Sequence, residues 1–226
     1  MATYSVAAPQ VGLQSPKSWY EMRSDLAKEA LAVYKRYESF LLFTSAATKI
    51  PVPVLLAFIM VESNGNPTAG GKGSITQGLM QWNRNFAKDQ LEYELNKGRL
   101  SPAEKSKLAQ FGITFDAKGK TRTITSADQI KPELNILIGG IILGQLMDEK
   151  WASTNGVLRL DRVIAVYNAG AFGETGKKAR LGNHPTPLAL ANDVNAITKA
   201  YINKIMGRDG ALDVITTDLK GSVKQA

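Results

Sequence analysis

The chain of 226 residues contains no cysteine and a single histidine. The absence of cysteine excludes disulfides, a thiol nucleophile and thiolate zinc sites, and it leaves the compartment open because such a chain tolerates either redox state. His184 lies between Asn183 and Pro185 in a loop rich in glycine and lysine. We therefore expect a surface histidine rather than a triad member or a metal ligand, and we expect neither a metal nor a cofactor.

A secretory signal and a membrane span are also missing from the pattern. Residues 1–16 have no basic start and no apolar stretch, and with two prolines and a glycine they predict a flexible N-terminal arm. The longest uncharged apolar stretch, residues 134–147, is interrupted by polar residues and glycines and falls short of the roughly 20 residues that a span needs. Residues 207–226 have glycines at 207 and 210, followed by a polar stretch, and predict a polar C-terminal tail. One domain is therefore expected at residues 17–206.

The charge balance is basic. There are 28 Lys and Arg against 20 Asp and Glu, which gives a net charge of +8 and a pI near 9.6. Such a balance favours polyanionic partners, and both bacterial envelopes and nucleic acids qualify. The basic residues lack the interleaved aromatic residues that stack on bases, so a nucleic-acid partner is not expected and a basic nucleic-acid-binding helical domain ranks as an alternative.

The hydrophobic periodicity is helical along most of the chain. Apolar residues spaced three and four apart over residues 18–48 predict one long helix or two abutting helices. Pro51 and Pro53 break this pattern and start a second helix, because proline is tolerated in a first turn. The only strand-like segments, residues 113–115 and 122–124, predict a small β-hairpin. The expected fold class is mainly α.

Glu62 follows an apolar run, residues 54–61, that has no polar face. Such a run predicts a helix buried all round, and burial disfavours an ionised carboxyl, so the pKa of Glu62 should rise. Residues 63–67 predict that the helix ends beside Glu62, near the negative pole of its macrodipole, which also favours the protonated acid. An acid protonated near neutral pH can protonate a leaving group. The alternative is an ordinary glutamate that reaches solvent or pairs with Arg84 or Lys88.

Two further motifs accompany Glu62-Ser63, namely Gly78-Leu79-Met80-Gln81 and Val166-Tyr167-Asn168-Ala169-Gly170. In this order they resemble the signature of the lytic transglycosylases related to soluble murein transglycosylase, which share a goose-type lysozyme-like fold. Asn135 falls where that family often places an asparagine, and residues 198–205 resemble its closing pattern, although Ile197 stands where the pattern has glutamate. The resemblance covers residues 38–205, with an insertion at about 83–131.

The resemblance implies a peptidoglycan lytic transglycosylase that cleaves the β-1,4 bond between N-acetylmuramic acid and N-acetylglucosamine. Glycosidic cleavage normally takes two carboxyl groups, but here the 2-acetamido oxygen and the C6 hydroxyl of the sugar replace the second one. Glu62 would protonate the leaving oxygen and then deprotonate the C6 hydroxyl, which gives a 1,6-anhydro end. Seven further residues are assigned to substrate binding: Ser63, Gly78, Met80, Gln81, Tyr167, Asn168 and Tyr201.

The roles of these residues follow from the same resemblance. Ser63 and Gln81 would form hydrogen bonds around the acetamido group or the catalytic carboxyl. Gly78 would let the backbone approach the sugar. Tyr167 would point its hydroxyl at Glu62.

The remaining assignments keep two readings open. Asn168 would hold the turn that follows it, and its position in an apolar segment favours the site. Met80 fits packing as well as substrate contact, and Tyr201 fits the core as well as the cleft.

Other functions stay open at this point. A hydrolytic muramidase of the same fold would need a second carboxylate, for which the insertion offers Asp89, Glu92, Glu94 and Asp116. A non-catalytic murein-binding or virion structural protein is a further alternative. The expected partners are peptidoglycan glycan strands, in the bacterial periplasm or cell wall. Because no signal is visible, we expect a bacteriophage origin, with virion components as partners or release at host lysis.

Overall fold

The computed structural model describes residues 12–15, 19–20, 22–71, 73–170 and 173–224. The described residues form eleven α-helices, one 3-10 turn at Lys150–Ala152 and two short strands. The helices are α1 (Arg23–Thr48), α2 (Val52–Ser63), α3 (Arg84–Asn96), α4 (Pro102–Gln110), α5 (Ser126–Gln129), α6 (Pro132–Asp148), α7 (Leu160–Ala169), α8 (Glu174–Leu181), α9 (Pro187–Asp193), α10 (Ala196–Met206) and α11 (Ala211–Thr217). None of these helices is long and apolar enough to cross a membrane.

Helix α2 lies at the centre of the packing. All residues from Val52 to Met60 are buried, and the helix packs against α1, α10 and α11. The predicted burial all round is therefore confirmed. The helix ends at Ser63, and its C-cap residue Asn64 takes the left-handed conformation with φ 49°. Glu62 therefore lies in the last turn, as the glycine and the proline that follow it predicted.

Helix α1 has features of both predicted alternatives, one long helix and two abutting helices. It runs continuously from Arg23 to Thr48, but Tyr37 departs from helical geometry with φ −119° and ψ 16° and kinks it. The hydroxyl of Tyr37 donates to the carbonyl of Gly65, just beyond the end of α2. The kinked helix thus stabilises the segment that follows Glu62.

The β-structure differs from the prediction. Phe115 and Thr121 form only an isolated bridge, because Asp116 accepts hydrogen bonds from the backbone N–H groups of Lys118 and Lys120, both at 2.8 Å, and closes a tight turn. The antiparallel pair is instead β1 (Ser153–Thr154) with β2 (Val157–Leu158). The turn between these strands is Asn155-Gly156, where both residues have positive φ, a strong hairpin signal.

The chain ends also differ from the prediction. Helix α11 packs against α2 and buries Leu212, Val214 and Ile215, so residues 211–217 are part of the core rather than a polar tail. Its apolar residues lie on one face, which the surrounding polar residues obscured. Most of the predicted flexible arm lies outside the described residues, but residues 13–15 pair with Arg208 through backbone hydrogen bonds. The domain boundaries themselves stay a prediction.

The expectation of a surface histidine is wrong. His184 is 8% exposed, its carbonyl accepts a hydrogen bond from Arg159, and its ring Nε2 lies 3.0 Å from Asp193 Oδ2. Arg159 also pairs with the buried Asp161. This polar cluster holds the start of α7 against the loop before α9. The composition of a glycine-rich loop does not indicate such contacts with residues distant in sequence.

Candidate active site

Glu62 lies at the C-terminal end of α2 and is half-buried. Burial raises the pKa of Glu62 from 4.5 to about 7, and a hydrogen bond from Tyr201 lowers it in part. The carboxyl is therefore close to half-protonated near neutral pH. Arg84 and Lys88 do not pair with it: Arg84 donates to the carbonyl of Ser74, and Lys88 pairs with Glu92. The alternative in which Glu62 pairs with Arg84 or Lys88 is therefore wrong.

Tyr201 is the tyrosine that contacts this carboxyl. Its hydroxyl donates to Glu62 Oε1 across 139 positions of sequence, which brings α10 to the end of α2. Burial raises the pKa of Tyr201 well above its usual value, so the phenol keeps its proton and remains a donor. With Oε1 occupied in this way, Oε2 is the oxygen left to carry and transfer a proton.

Phe58 supplies the apolar surroundings one helical turn before Glu62. It is fully buried, and its ring meets those of Tyr167 and Tyr201 edge-on, with centroids 5.0 Å and 6.4 Å away. Edge-to-face packing of this kind fixes ring positions as well as excluding water. The elevated pKa of Glu62 thus has a local cause in the residues that surround it.

A cavity of about 590 Å³ opens beside Glu62. We call it the cleft. It is lined by Glu62 and Gln81, by Thr76, Asn83 and Phe86 on one side, and by Tyr167, Asn168 and neighbouring residues of α7 on the other. Among its described lining residues Glu62 is the only carboxyl.

The predicted second carboxylates lie elsewhere. Glu92 is bound by Lys88, Lys120 and the Thr121 N–H, and these partners lower its pKa to about 2. Asp116 closes its own turn, and Asp89 is exposed. Glu94 lines a separate cavity of about 310 Å³. None of the four lines the cleft.

The loop with residues 77–82 is held by two buried amides. Asn135 in α6 is fully buried; its Oδ1 accepts from the Met80 N–H at 2.8 Å, and its Nδ2 donates to the carbonyls of Gln77 and Gln129. Gln129, also fully buried, donates to the carbonyls of Ile75 and Trp82. Because these side-chain amides hold the Met80 N–H and the carbonyls of Gln77 and Trp82, α5 and α6 fix the conformation of the loop.

Tyr167 has a different partner from the predicted one. Its hydroxyl donates to the carbonyl of Met80 at 2.7 Å rather than to Glu62, so it ties α7 to the same loop. Tyr201 thus takes the role that was expected of Tyr167. Both lie on apolar stripes of their helices, and sequence spacing cannot tell which hydroxyl reaches a carboxyl in a third helix.

Three residues predicted to bind substrate, Ser63, Gly78 and Met80, make close contacts within the protein. The Ser63 hydroxyl lies 2.8 Å from the Leu79 carbonyl and 3.1 Å from that of Ile59. Gly78 has φ +87°, and a Cβ there would lie 2.8 Å from Asn135 Cγ, so protein rather than sugar fills that space. The Met80 side chain is fully buried against Gly139. These residues shape the loop.

Gln81 and Asn168 do line the cleft. Gln81 takes a left-handed conformation with φ 48°, and its Nε2 donates to the carbonyls of Ala69 and Gly78. Asn168 Oδ1 accepts from the Thr198 hydroxyl at 3.0 Å. Asn168 therefore joins α7 to α10 instead of holding its own following turn.

Sequence reasoning missed the cleft residues at the start of α3. Asn83 Oδ1 accepts the N–H groups of Asn85 and Phe86 and begins the helix there. The N-cap asparagine was the available signal. Gln129 was missed as well, and no local pattern distinguishes it from an exposed glutamine.

Comparisons with known proteins fit this geometry. The model of the family described as Transglycosylase SLT domain matches residues 41–110. The fold is similar to the X-ray structure of an inactive mutant of lytic transglycosylase Slt from Pseudomonas aeruginosa, with TM-score 0.55, 17% identity and coverage of 83% of this chain and 25% of that chain. This chain thus spans about a quarter of the length of that protein. No curated protein matches. The resemblance to lytic transglycosylases and the mainly helical, lysozyme-like fold are confirmed; a bacteriophage origin stays a prediction.

Proposed function

We propose that this chain is a peptidoglycan lytic transglycosylase, with Glu62 as its catalytic acid and base. The observation that carries the proposal is a single carboxyl with a pKa of about 7 at the edge of a cleft whose other described lining residues are not acidic. The match over residues 41–110 and the similarity to Slt support it. In that protein, the inactive mutant carries glutamine in place of a glutamate.

The chemistry follows from one carboxyl acting twice. Glu62 Oε2–H protonates the glycosidic oxygen, and the bond from C1 of N-acetylmuramic acid to that oxygen breaks. The sugar's 2-acetamido oxygen stabilises the positive charge at C1. The carboxylate then takes the proton of the C6 hydroxyl, whose oxygen attacks C1 and closes the 1,6-anhydro ring. The acid is restored and water is not consumed, so a second carboxylate is not needed.

Tyr201 and the burial of Glu62 support opposite halves of this cycle. The Tyr201 hydroxyl donates to Glu62 Oε1, which stabilises the carboxylate after proton transfer while burial favours the acid before it. Gln81 and Asn168 line the same cleft and serve as polar contacts for the acetamido group. The loop that carries Gln81 is fixed by Asn135.

Purified sacculi provide the direct test. We expect the wild-type chain to release muropeptides with anhydro ends, which mass spectrometry finds one water lighter than reducing ends. Glu62→Gln should lower the activity at least about a thousandfold, since proton transfer contributes at that scale. Glu29→Gln, at an exposed position of α1, should leave the activity unchanged. Reducing ends would identify a hydrolytic muramidase. Binding to sacculi without any product would identify a murein-binding or virion protein.

The place of action follows from the substrate. We place it at the bacterial cell wall or periplasm, with bacteriophage virions or release at lysis as the route of delivery. Detection of the protein in purified particles by mass spectrometry would support the virion route, and its presence only in cell lysates would contradict it.

A further inference from the structure

We infer that Asn83, the N-cap residue of α3, and Phe86, in the first turn of that helix, form a subsite that binds one pyranose ring of the glycan through its apolar face. This inference rests on the proposed function, because it assigns a sugar-binding role to residues of the same cleft. It adds a specificity-determining pair outside the motifs that carry the family resemblance.

Phe86 presents an aromatic ring to the cleft. It is half-buried and lines the cavity beside Glu62. The other aromatic lining residues are committed elsewhere: Trp82 is 3% exposed and donates its indole N–H to the Asn135 carbonyl, and the Tyr167 hydroxyl donates to the Met80 carbonyl. Phe86 packs in part against the hydrophobic core and meets no other aromatic ring in the described part of the chain, so its ring is the one in the cleft that is not held by an aromatic neighbour or a hydrogen bond.

Asn83 places an amide donor on the same helical turn. Its Oδ1 accepts the N–H groups of Asn85 and Phe86, which fixes the side chain and leaves its Nδ2 without an acceptor among the described residues. Asn83 also lines the cleft. The backbone around it is held by a bridge to Thr76 and by the bond from the Arg84 N–H to the Ile75 carbonyl. The donor is therefore held in a fixed position in the cleft that Phe86 also lines.

This pairing matches the chemistry of a pyranose. A hexosamine ring has a face of C–H groups and a rim of hydroxyl and acetamido oxygens. The C–H face packs against an aromatic ring, whose face is electron-rich, while a rim oxygen accepts a hydrogen bond from an amide. Apolar walls with few placed polar groups are characteristic of ligand sites, and Ile142 and Leu146 of α6 extend the apolar wall.

The test measures binding of chitotetraose, a β-1,4-linked tetramer of N-acetylglucosamine, by isothermal calorimetry to the Glu62→Gln protein. In this background Phe86→Ala and Phe86→Leu should each weaken binding about 3- to 10-fold, and Phe86→Trp should retain it. Leu keeps the apolar volume that packs on the core, so it remains informative if the Ala variant does not fold. Tyr93→Ala is the matched control, because Tyr93 lies on α3, is 40% exposed and is outside the cleft.

Asn83→Asp separates the two parts of the subsite. Aspartate keeps the oxygen that begins α3 but has no amide donor, so helix content should be unchanged while binding weakens about 3- to 10-fold. Unchanged affinity in both Phe86→Leu and Asn83→Asp, or no binding by the parent protein, would overturn the subsite. Failure of the proposed function has a different signature, since wild-type protein would then release no anhydro products from sacculi.

Discussion

The raised pKa of Glu62 can be measured as stability, independently of any catalytic assay. A carboxyl whose pKa is higher in the folded than in the unfolded chain binds its proton more tightly when folded. The wild-type chain therefore loses stability as pH rises from the unfolded value of about 4.5 through the folded value of about 7. Glu62→Gln removes the titration and should be free of that loss.

The size of the effect follows from the two pKa values. One pKa unit corresponds to about 1.36 kcal/mol, so the full difference corresponds to about 3 kcal/mol, and the free energy of unfolding should change by about 2 kcal/mol between pH 5 and pH 8.5. Urea denaturation of both proteins at these pH values gives the comparison. The free energy of unfolding of Glu62→Gln minus that of wild type should be larger at pH 8.5 than at pH 5 by this amount.

The exposed Glu29 on α1 supplies the control for the same substitution chemistry. Glu29→Gln should show no such pH-dependent difference from wild type. If Glu62→Gln and Glu29→Gln behave alike across this range, Glu62 is not desolvated, and the mechanism loses its protonated acid.

Two further predictions concern the groups around Glu62. Tyr201→Phe removes the hydrogen bond that lowers the pKa of Glu62, so the alkaline limb of the rate–pH profile should move to higher pH while kcat falls about tenfold. Tyr167→Phe loses a bond to Met80 instead and should leave the alkaline limb in place. Equal shifts of the limb in both variants would contradict the assignment. Gly78→Ala should destabilise the protein by more than about 2 kcal/mol, because a Cβ would collide with Asn135 at a left-handed position, whereas Gly156→Ala, at φ +77° with open space around it, should cost only about 1 kcal/mol in thermal or urea unfolding.

The properties of Glu62 could be predicted from sequence because their causes are local. Eight successive apolar residues decide that α2 is buried, and a glycine and a proline decide where it ends. Both causes act within one helical element. The position of the acid and the direction of its pKa therefore follow without any knowledge of tertiary contacts.

The partner of Glu62 could not be predicted in the same way. Tyr167 and Tyr201 both continue apolar stripes, and the choice between them depends on how α7 and α10 cross α2. Similarly, Gly78 was expected to accommodate a sugar, but the buried side chain of Asn135 occupies the space beside it. Contacts between elements far apart in sequence leave no trace in local spacing.

The β-structure shows the opposite kind of error, in which a readable signal was passed over. Asn155-Gly156 is the turn sequence that two-residue hairpins favour, and the strands on either side of it are only two residues long. The β-branched residues at 113–115 and 122–124 predicted a hairpin in a segment where no strand pair forms among the described residues. The tight turn that Asp116 closes leaves only the bridge between Phe115 and Thr121 there.

The bond between Tyr201 and Glu62 restricts how this chain can be shortened or recombined. The stretch that matches the family, residues 41–110, keeps the acid and the Gln81 loop but excludes α10, which carries the phenol. A fragment or chimera cut at those limits would have a glutamate with a different proton affinity. Any transplant of the proposed activity must therefore carry the distant helix along with the motif.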